Sequence, residues 1–299
     1  MKYFAEKLEN LGTVSLSIEI DDDLVDEIKI SELNNQTLVL GCPGRFNEII
    51  QLPCPVKGVN NQTILSRIFR LRLQALNAVD RKNLDLYKKQ PFKAPVCKCG
   101  ITIGETNVWK QLPSEHWAEL MDLWHCHKPH IEHNSHEHDD DKSYTDGLYK
   151  LAMEGFQPKK GFSYYSDVYY LVHQDDLHPC FTESKIYKWD LGHSVSEIIG
   201  IQLKELVDAH AVFTFQINKE LIVWVINLNC LYTSQSTSTP RKSVKIGFGD
   251  MAMKATKADP EEVEYPEPVY NKLVESLLES NESLPGNVRT LGEWKIAFL

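Results

Sequence analysis

The chain has 299 residues, of which 42% are hydrophobic and 25% are charged, a composition typical of a globular protein with a buried core. Its 42 acidic side chains outnumber 32 basic ones, and the resulting formal net charge of −10 argues against direct binding to DNA or RNA. The opening residues contain Glu6 and Glu9 without an apolar run, and no apolar stretch reaches transmembrane length. We therefore expect no secretory leader, no membrane partner, and a location in the nucleus and cytoplasm.

Short alternating segments at the start of the chain predict half-buried β-strands. They include the VSLSIEI and TLVLGC segments and the alternation from Phe69 to Leu73. A polar and basic connection follows at residues 80–94. The pattern predicts an N-terminal β-rich lobe over residues 1–95.

An amphipathic helix is predicted next, because Trp117, Leu120, Met121 and Trp124 recur at the spacing of one helical face. It should end near Cys126, since Pro129 disfavours helix at the residue before it. A loop rich in His, Glu and Asp follows at residues 130–146. Residues 96–146 therefore form a predicted segment that carries the Cys and His motifs.

The rest of the chain, residues 147–299, is predicted to be an α+β lobe. Its predicted elements are strands at residues 164–172, 211–217, 221–232 and 294–299, helices at 197–210 and around 269–279, and a Ser/Thr-rich surface loop at 233–243. The expected fold class is α+β, with mostly antiparallel, β-rich sheets, a few helices and two lobes.

The seven cysteines are an odd number, which fits reduced thiols or metal ligands better than a disulfide framework. Cys97 and Cys99 are close enough in sequence to ligate one Zn²⁺ together, and zinc is the expected cofactor if there is one. No second CxC or CxxC unit completes four ligands, so two ordinary reduced cysteines remain the alternative interpretation.

His125, Cys126 and His127 place a thiol between two imidazoles at the predicted end of the helix, and all three are good zinc ligands. A Cys-His pair could also serve nucleophilic catalysis, in which the imidazole lowers the thiol pKa. Adjacent residues at a helix end point in different directions, which argues against that second interpretation. The histidines further along are more typical of a solvated, pH-sensitive loop.

Three segments resemble a known family. They are Cys97 to Gly100, Leu112 to His127, and Leu284 to Arg289 together with Ile296 to Leu299. In this order they resemble the HECT-like ubiquitin-protein ligases, whose fungal member serves pre-mRNA 3′-end processing. The resemblance implies that Cys126 reaches the metal centre of the zinc-dependent endonuclease of the cleavage and polyadenylation machinery. Trp117, Trp124, His125 and His127 would then form the partner-binding surface around Cys126.

The ligase activity of that family requires a cysteine that accepts ubiquitin, in a sequence resembling Leu-Pro-x-Ala-Thr-Cys. The matching stretch here is Tyr265 to Tyr270, so that Tyr270 stands at the position of the nucleophile. A second Cys pair of the family is replaced by Ile186 to Asp190. No catalytic residue is therefore assigned.

Three hypotheses for the function follow. The first is a partner-binding factor that restrains or stabilises the endonuclease. The alternative is a HECT-like ligase that promotes substrate degradation. It would accept ubiquitin from a conjugating enzyme on another cysteine, or recruit that enzyme and let it transfer ubiquitin directly. A stand-alone zinc hydrolase ranks last.

Overall fold

Strands dominate the computed structural model, which describes residues 1–20, 27–42, 44–65, 67–76, 94–96, 100–104, 108–112, 158–250 and 260–299. Within these ranges there are seventeen β-strands and two α-helices. Most strand pairs are antiparallel, and the β8–β9 and β12–β15 pairs defined below are parallel. The predicted β-rich, mostly antiparallel class is therefore confirmed.

Seven strands come from the N-terminal part of the chain: β1 (Lys2–Leu8), β2 (Thr13–Glu19), β3 (Lys29–Leu33), β4 (Thr37–Cys42), β5 (Phe46–Gln51), β6 (Val56–Leu65) and β7 (Ile68–Ala75). Four short strands follow: β8 (Val108–Gln111), β9 (Phe162–Tyr165), β10 (Tyr169–Val172) and β11 (Lys185–Tyr187). The remaining elements are α1 (Val195–His210), β12 (Thr214–Ile217), β13 (Leu221–Ser234), β14 (Thr237–Asp250), β15 (Glu261–Val263), α2 (Glu267–Ser283), β16 (Thr290–Leu291) and β17 (Trp294–Phe298).

The largest sheet joins the two ends of the chain. Its strand order is β16-β17-β14-β13-β1-β2-β7-β6, with β12 and β15 attached beside β13. Strand β1 pairs with β2 on one side and with β13 on the other, and Phe4 lies opposite Ser234. Strand β6 is the last strand of this sheet among the described residues.

The two faces of this sheet bury different apolar clusters. On one face, alternate residues of β1, β2 and β7, such as Leu16 and Leu71, pack with Leu38 and Ile50 of the small β3-β4-β5 sheet. On the other face, Phe4 packs with residues that include Leu284 and Phe298. Leu277 of α2 is also fully buried. The apolar and polar residues that predicted these strands alternate because successive side chains of a strand point to opposite faces of the sheet.

Grouping residues by their contacts divides the chain into two compact units. The first consists of residues 1–90, 195–204 and 211–299, and it contains the large sheet and the β3-β4-β5 sheet. The second consists of residues 91–194 and 205–210, and it contains the sheet β11-β10-β9-β8. The predicted lobes and the predicted boundaries after residues 95 and 146 stay predictions.

Most of the local predictions are confirmed. Helix α1 matches the helix predicted at residues 197–210, the β12–β13 hairpin turns at Asn218 and Lys219, and α2 ends at Ser283 before Pro285. The stretch predicted as one strand at residues 164–172 is instead two strands, β9 and β10. They are joined by a turn in which the Ser166 hydroxyl accepts the backbone N–H of Tyr169 at 2.9 Å.

The prediction of a surface loop at residues 233–243 is wrong. Strands β13 and β14 continue through most of this stretch and turn only at Gln235 and Ser236. Threonine is a good strand former because of its β-branched side chain, and Thr233 is fully buried with its hydroxyl donating to the Gln51 carbonyl at 2.6 Å. Ser/Thr content therefore indicated polarity without indicating a loop.

No helix in the described part of the chain is long and apolar enough to cross a membrane.

Candidate functional site

The predicted partner-binding and zinc-binding residues lie outside the described residues. This applies to Cys97, Cys99, Trp117, Trp124, and the His125–Cys126–His127 motif. Their assignments stay predictions. The structure does describe the position of the expected ubiquitin-accepting nucleophile, the place of the second Cys pair, and the C-terminal segment of the resemblance.

The segment that matches the HECT nucleophile motif is held in place by a hairpin turn. Asn218 adopts a left-handed conformation with φ of 49°. Its side-chain amide donates to the Tyr265 carbonyl at 2.8 Å and accepts the Tyr265 N–H at 2.7 Å. This amide satisfies the backbone of Tyr265 just before Pro266, where helix α2 is capped. The motif therefore begins as an anchored segment between β15 and α2 and continues as a helix.

Tyr270 lies in the first turn of α2 and cannot form a thioester, because its side chain has no thiol. Burial raises the pKa of its phenol, and a hydrogen bond to the Glu220 carboxylate and the charge of that carboxylate raise the pKa further. A phenol in this setting stays protonated at neutral pH and donates to Glu220. A thioester requires a thiolate, so the structure offers no HECT-type transfer at this position.

Cys230 lies in a buried network with Glu6 and Lys245. Its thiol lies 3.3 Å from Glu6 Oε1, and the Lys245 ammonium lies 2.6 Å from Glu6 Oε2. Burial raises the pKa of this thiol well above its ordinary value, and the neighbouring Glu6 carboxylate raises it further. The thiol is fully buried and is held protonated, so Cys230 cannot receive ubiquitin.

The other described cysteines differ in exposure. Cys42 and Cys54 are buried, and burial raises the pKa of the Cys54 thiol. Cys180 is exposed. Reaction with a bulky protein thioester needs an accessible thiolate, so Cys180 is the candidate acceptor that an experiment must test among the described cysteines.

Aromatic and lysine side chains occupy the place of the second Cys pair. The rings of Tyr187 and Trp189 stack with centroids 4.4 Å apart and planes 5° apart. The Lys185 ammonium lies 4.1 Å from the centre of the Tyr169 ring and 5.1 Å from that of Tyr187, which are cation–π distances. Residues 186–190 contain no cysteine or histidine, and the Asp190 carboxylate accepts a hydrogen bond from the Tyr187 N–H at 3.2 Å.

The Leu284–Arg289 segment fastens α2 to the large sheet. The side chain of Leu284 is buried, and the Gly286 N–H donates to Glu19 Oε2 at 3.1 Å. The Arg289 guanidinium donates to the carbonyls of Leu284 and Glu282 at 2.8 and 2.7 Å. Asn287 contacts Ser17 on β2. The segment therefore has a structural role in closing one face of the sheet.

A family model described as "HECT-like Ubiquitin-conjugating enzyme (E2)-binding" matches residues 6–191 and 182–296. The chain belongs to this family. The match runs through both compact units and includes the Tyr265–Tyr270 and Leu284–Arg289 segments. The predicted family is thus confirmed at the HECT-like level.

This HECT-like protein is also similar to "Uncharacterized protein YJR141W" of Saccharomyces cerevisiae, with 24% identity over 237 residues. The matched region is 66% of this chain and 65% of the yeast protein, so the chain spans about 65% of the length of that relative. No solved structure matches the chain.

No group of three or more His, Cys, Asp or Glu residues with the geometry of a metal site occurs in the described part of this HECT-like chain. The zinc ligands predicted from the sequence, Cys97 and Cys99, lie outside that part. Zinc binding therefore stays a prediction.

Two groups of residues were missed by the sequence analysis. The Glu6–Cys230–Lys245 network was missed because Glu6 lies more than 220 positions before both of its partners and no local pattern connects them. Arg70 and Arg72, by contrast, had a signal. The Phe69–Leu73 alternation that predicted a strand also places both arginines on the same face of that strand.

Proposed function

We propose that this chain binds a ubiquitin-conjugating enzyme and promotes ubiquitin transfer directly from that enzyme to an acceptor. The observation that carries the proposal is the family match over residues 6–191 and 182–296. In this reaction the amine of an acceptor lysine attacks the thioester of the charged conjugating enzyme and the enzyme's thiol leaves. Ubiquitin is never attached to this chain.

The geometry at Tyr270 and Cys230 supports direct transfer over a HECT-type relay through either residue. The phenol at the nucleophile position, Tyr270, is hydrogen-bonded to Glu220. The thiol of Cys230 is buried and has a raised pKa. A relay would need an accessible thiolate, which neither side chain provides.

A single-turnover discharge assay tests this proposal. Conjugating enzymes charged with ubiquitin are mixed with lysine as the acceptor, with and without this protein, and the remaining thioester is followed on non-reducing gels. We expect one or more of the enzymes to lose ubiquitin at least about tenfold faster, which is a modest effect for an orienting partner. No thiol-sensitive adduct of ubiquitin with this chain should form.

The matched control is Cys180→Ser, which removes the exposed described thiol. It should discharge the enzyme as fast as the parent. A thioester adduct that disappears in Cys180→Ser, together with slower discharge, would show a relay and contradict direct transfer. Absence of both binding and accelerated discharge across a panel of conjugating enzymes would contradict the proposal itself.

We propose as a second candidate function that the chain engages and restrains the zinc-dependent endonuclease of pre-mRNA 3′-end processing, in the nucleus and cytoplasm. The observation that favours it is the His125–Cys126–His127 sequence after an aromatic-faced helical pattern. A thiolate is a strong ligand for Zn²⁺ with an open coordination position, and it would displace the hydrolytic water.

Cys126→Ser tests this second function, because serine keeps the size of the side chain and removes the soft ligand. The measurement is cleavage of a model RNA by the endonuclease as this protein is added. We expect the variant to require at least about tenfold more protein for the same inhibition. Cys180→Ser is the control and should inhibit as the parent does. Equal inhibition by Cys126→Ser would refute metal capture.

A further inference from the structure

Two arginines lie side by side on the face of the large sheet that also carries Phe4. Arg70 and Arg72 are exposed on β7, while Leu71 between them points into the core. In the strand register, Arg70 lies between Thr63 of β6 and Ser17 of β2. Arg72 lies between Asn61 and Ser15 in the same way. Each guanidinium is therefore flanked by neutral hydrogen-bonding side chains on both neighbouring strands.

Among the described residues, neither arginine forms an ion pair with a carboxylate. Both positive charges are therefore left without a counter-charge from this part of the chain. This is notable in a chain with 42 acidic side chains. The nearby carboxylate of Glu19 is instead bound by the Gly286 N–H.

A neutral amide holds Arg70. With its oxygen turned toward the sheet, Asn287 accepts hydrogen bonds from Arg70 Nε at 3.0 Å and Arg70 Nη2 at 3.2 Å, and from the Ser17 hydroxyl at 3.0 Å. A guanidinium has five N–H donors, so further donors of Arg70 stay available to a ligand. The amide orients the guanidinium and leaves its positive charge intact.

These residues line an open groove of about 440 Å³, with Asn287 and Val288 as one wall. On the other side lies β6, which is ten residues long and has β7 as its neighbour among the described strands. A chain lying extended along β6 would present every second side chain to the face that carries the arginines. The spacing of those side chains, about 6.6 Å, matches the spacing of Arg70 and Arg72 along β7.

We propose that this groove, lined by Arg70 and Arg72, binds an extended acidic segment of a partner protein through carboxylates at alternate positions. Charge complementarity identifies the occupant, because arginine forks bind carboxylates in a bidentate geometry. A nucleic acid is disfavoured, because a site with only two arginines neutralises few phosphates and therefore releases few counterions. The site does not depend on binding of a conjugating enzyme.

Fluorescence anisotropy with a labelled peptide of four Glu-Thr repeats tests the proposal, with the matching Gln-Thr peptide as the uncharged probe. We expect binding of the Glu-Thr peptide that weakens between 50 and 300 mM salt, and at least about tenfold weaker binding by the Arg70→Gln/Arg72→Gln protein. Arg70→Lys/Arg72→Lys keeps the charge without the fork and should lose only a few-fold.

The matched control is Arg241→Gln/Lys242→Gln, which removes two positive charges from β14 and leaves Arg70 and Arg72 in place. It should bind the peptide within about twofold of the parent. Equal binding by the two double glutamine variants would overturn the proposal, as would equal binding of the Gln-Thr peptide. Stronger competition by an eight-nucleotide oligo(dT) than by unlabelled Glu-Thr peptide would overturn it in favour of a nucleic acid. The unlabelled-peptide competition uses the parent protein, so it remains decisive if a variant fails to fold.

Discussion

Glu6 connects two side chains that lie more than 220 positions further along the chain. Its carboxylate is buried and accepts a hydrogen bond from the Lys245 ammonium at 2.6 Å. The Cys230 thiol contacts the same carboxylate. A buried carboxylate needs such partners, because leaving charge without a partner in the protein interior is costly. Removal of this one charge should therefore affect the whole sheet, since Lys245 would keep its charge and lose its partner.

The residue-scale prediction concerns Glu6→Gln. We expect the free energy of unfolding in urea to fall by about 1–3 kcal/mol, because the partly buried Lys245 ammonium loses a charged hydrogen-bond partner. Glu9→Gln is the matched control. Glu9 is mostly exposed and its ion pair with Lys7, at 2.8 Å, should contribute less than about 1 kcal/mol. Equal losses in the two variants would contradict a special role for the buried network.

The β12–β13 hairpin anchors helix α2 through one side chain. Asn218 and Lys219 both have positive φ, at 49° and 61°, so both positions carry the same backbone demand. They differ in contacts. Asn218 makes two hydrogen bonds to the backbone of Tyr265, whereas Lys219 forms an exposed ion pair with Glu264 at 3.8 Å.

The element-scale prediction compares Asn218→Ala with Lys219→Ala. Asn218→Ala should lower the free energy of unfolding by about 1–3 kcal/mol, because it leaves the Tyr265 N–H and carbonyl without their partners. Lys219→Ala has a similar left-handed backbone and should cost less than about 1 kcal/mol. Urea unfolding followed by circular dichroism measures both. A loss for Lys219→Ala as large as for Asn218→Ala would show that backbone strain, and not the amide, is responsible.

At the scale of the whole molecule, several buried groups protonate more readily in the folded chain than in the unfolded chain. Burial raises the pKa of the thiols of Cys54 and Cys230 and of the phenols of Tyr3 and Tyr170. The ordinary pKa values are 9.0 for a thiol and 10.0 for a phenol. A raised folded pKa gives stability that is complete below the ordinary value and is lost as the pH rises toward the folded value.

The melting temperature should therefore be nearly constant from pH 7 to about 8.5 and fall from about pH 9 upward. Scanning calorimetry between pH 7 and 11 measures this. In Cys54→Ala/Cys230→Ala the fall between about pH 9 and 10 should be shallower, because two of the titrating groups are gone. Cys180→Ala removes an exposed thiol and should keep the parent slope. An unchanged slope in the double variant would exclude the buried thiols as the cause.

Local patterns were enough to predict many elements, but they could not predict which elements meet. The Phe69–Leu73 alternation predicted β7, and Pro285 predicted the end of α2. The pairing of β1 with β13 joins residues more than 220 positions apart and has no local signal. The same limit applies to the groove. The positions of Arg70 and Arg72 on one face follow from the alternation, whereas its Asn287 wall depends on tertiary packing.

The position of β1 inside the large sheet has a consequence for how the protein is made. This strand leaves the ribosome long before its second neighbour, β13, which is complete only when Ser234 has been synthesised. Throughout that interval a nascent chain carries an open strand edge with strong strand formers, which is a template for aggregation. This protein should therefore depend more on a chaperone during translation than a protein in which neighbouring strands of the sheet are consecutive in sequence.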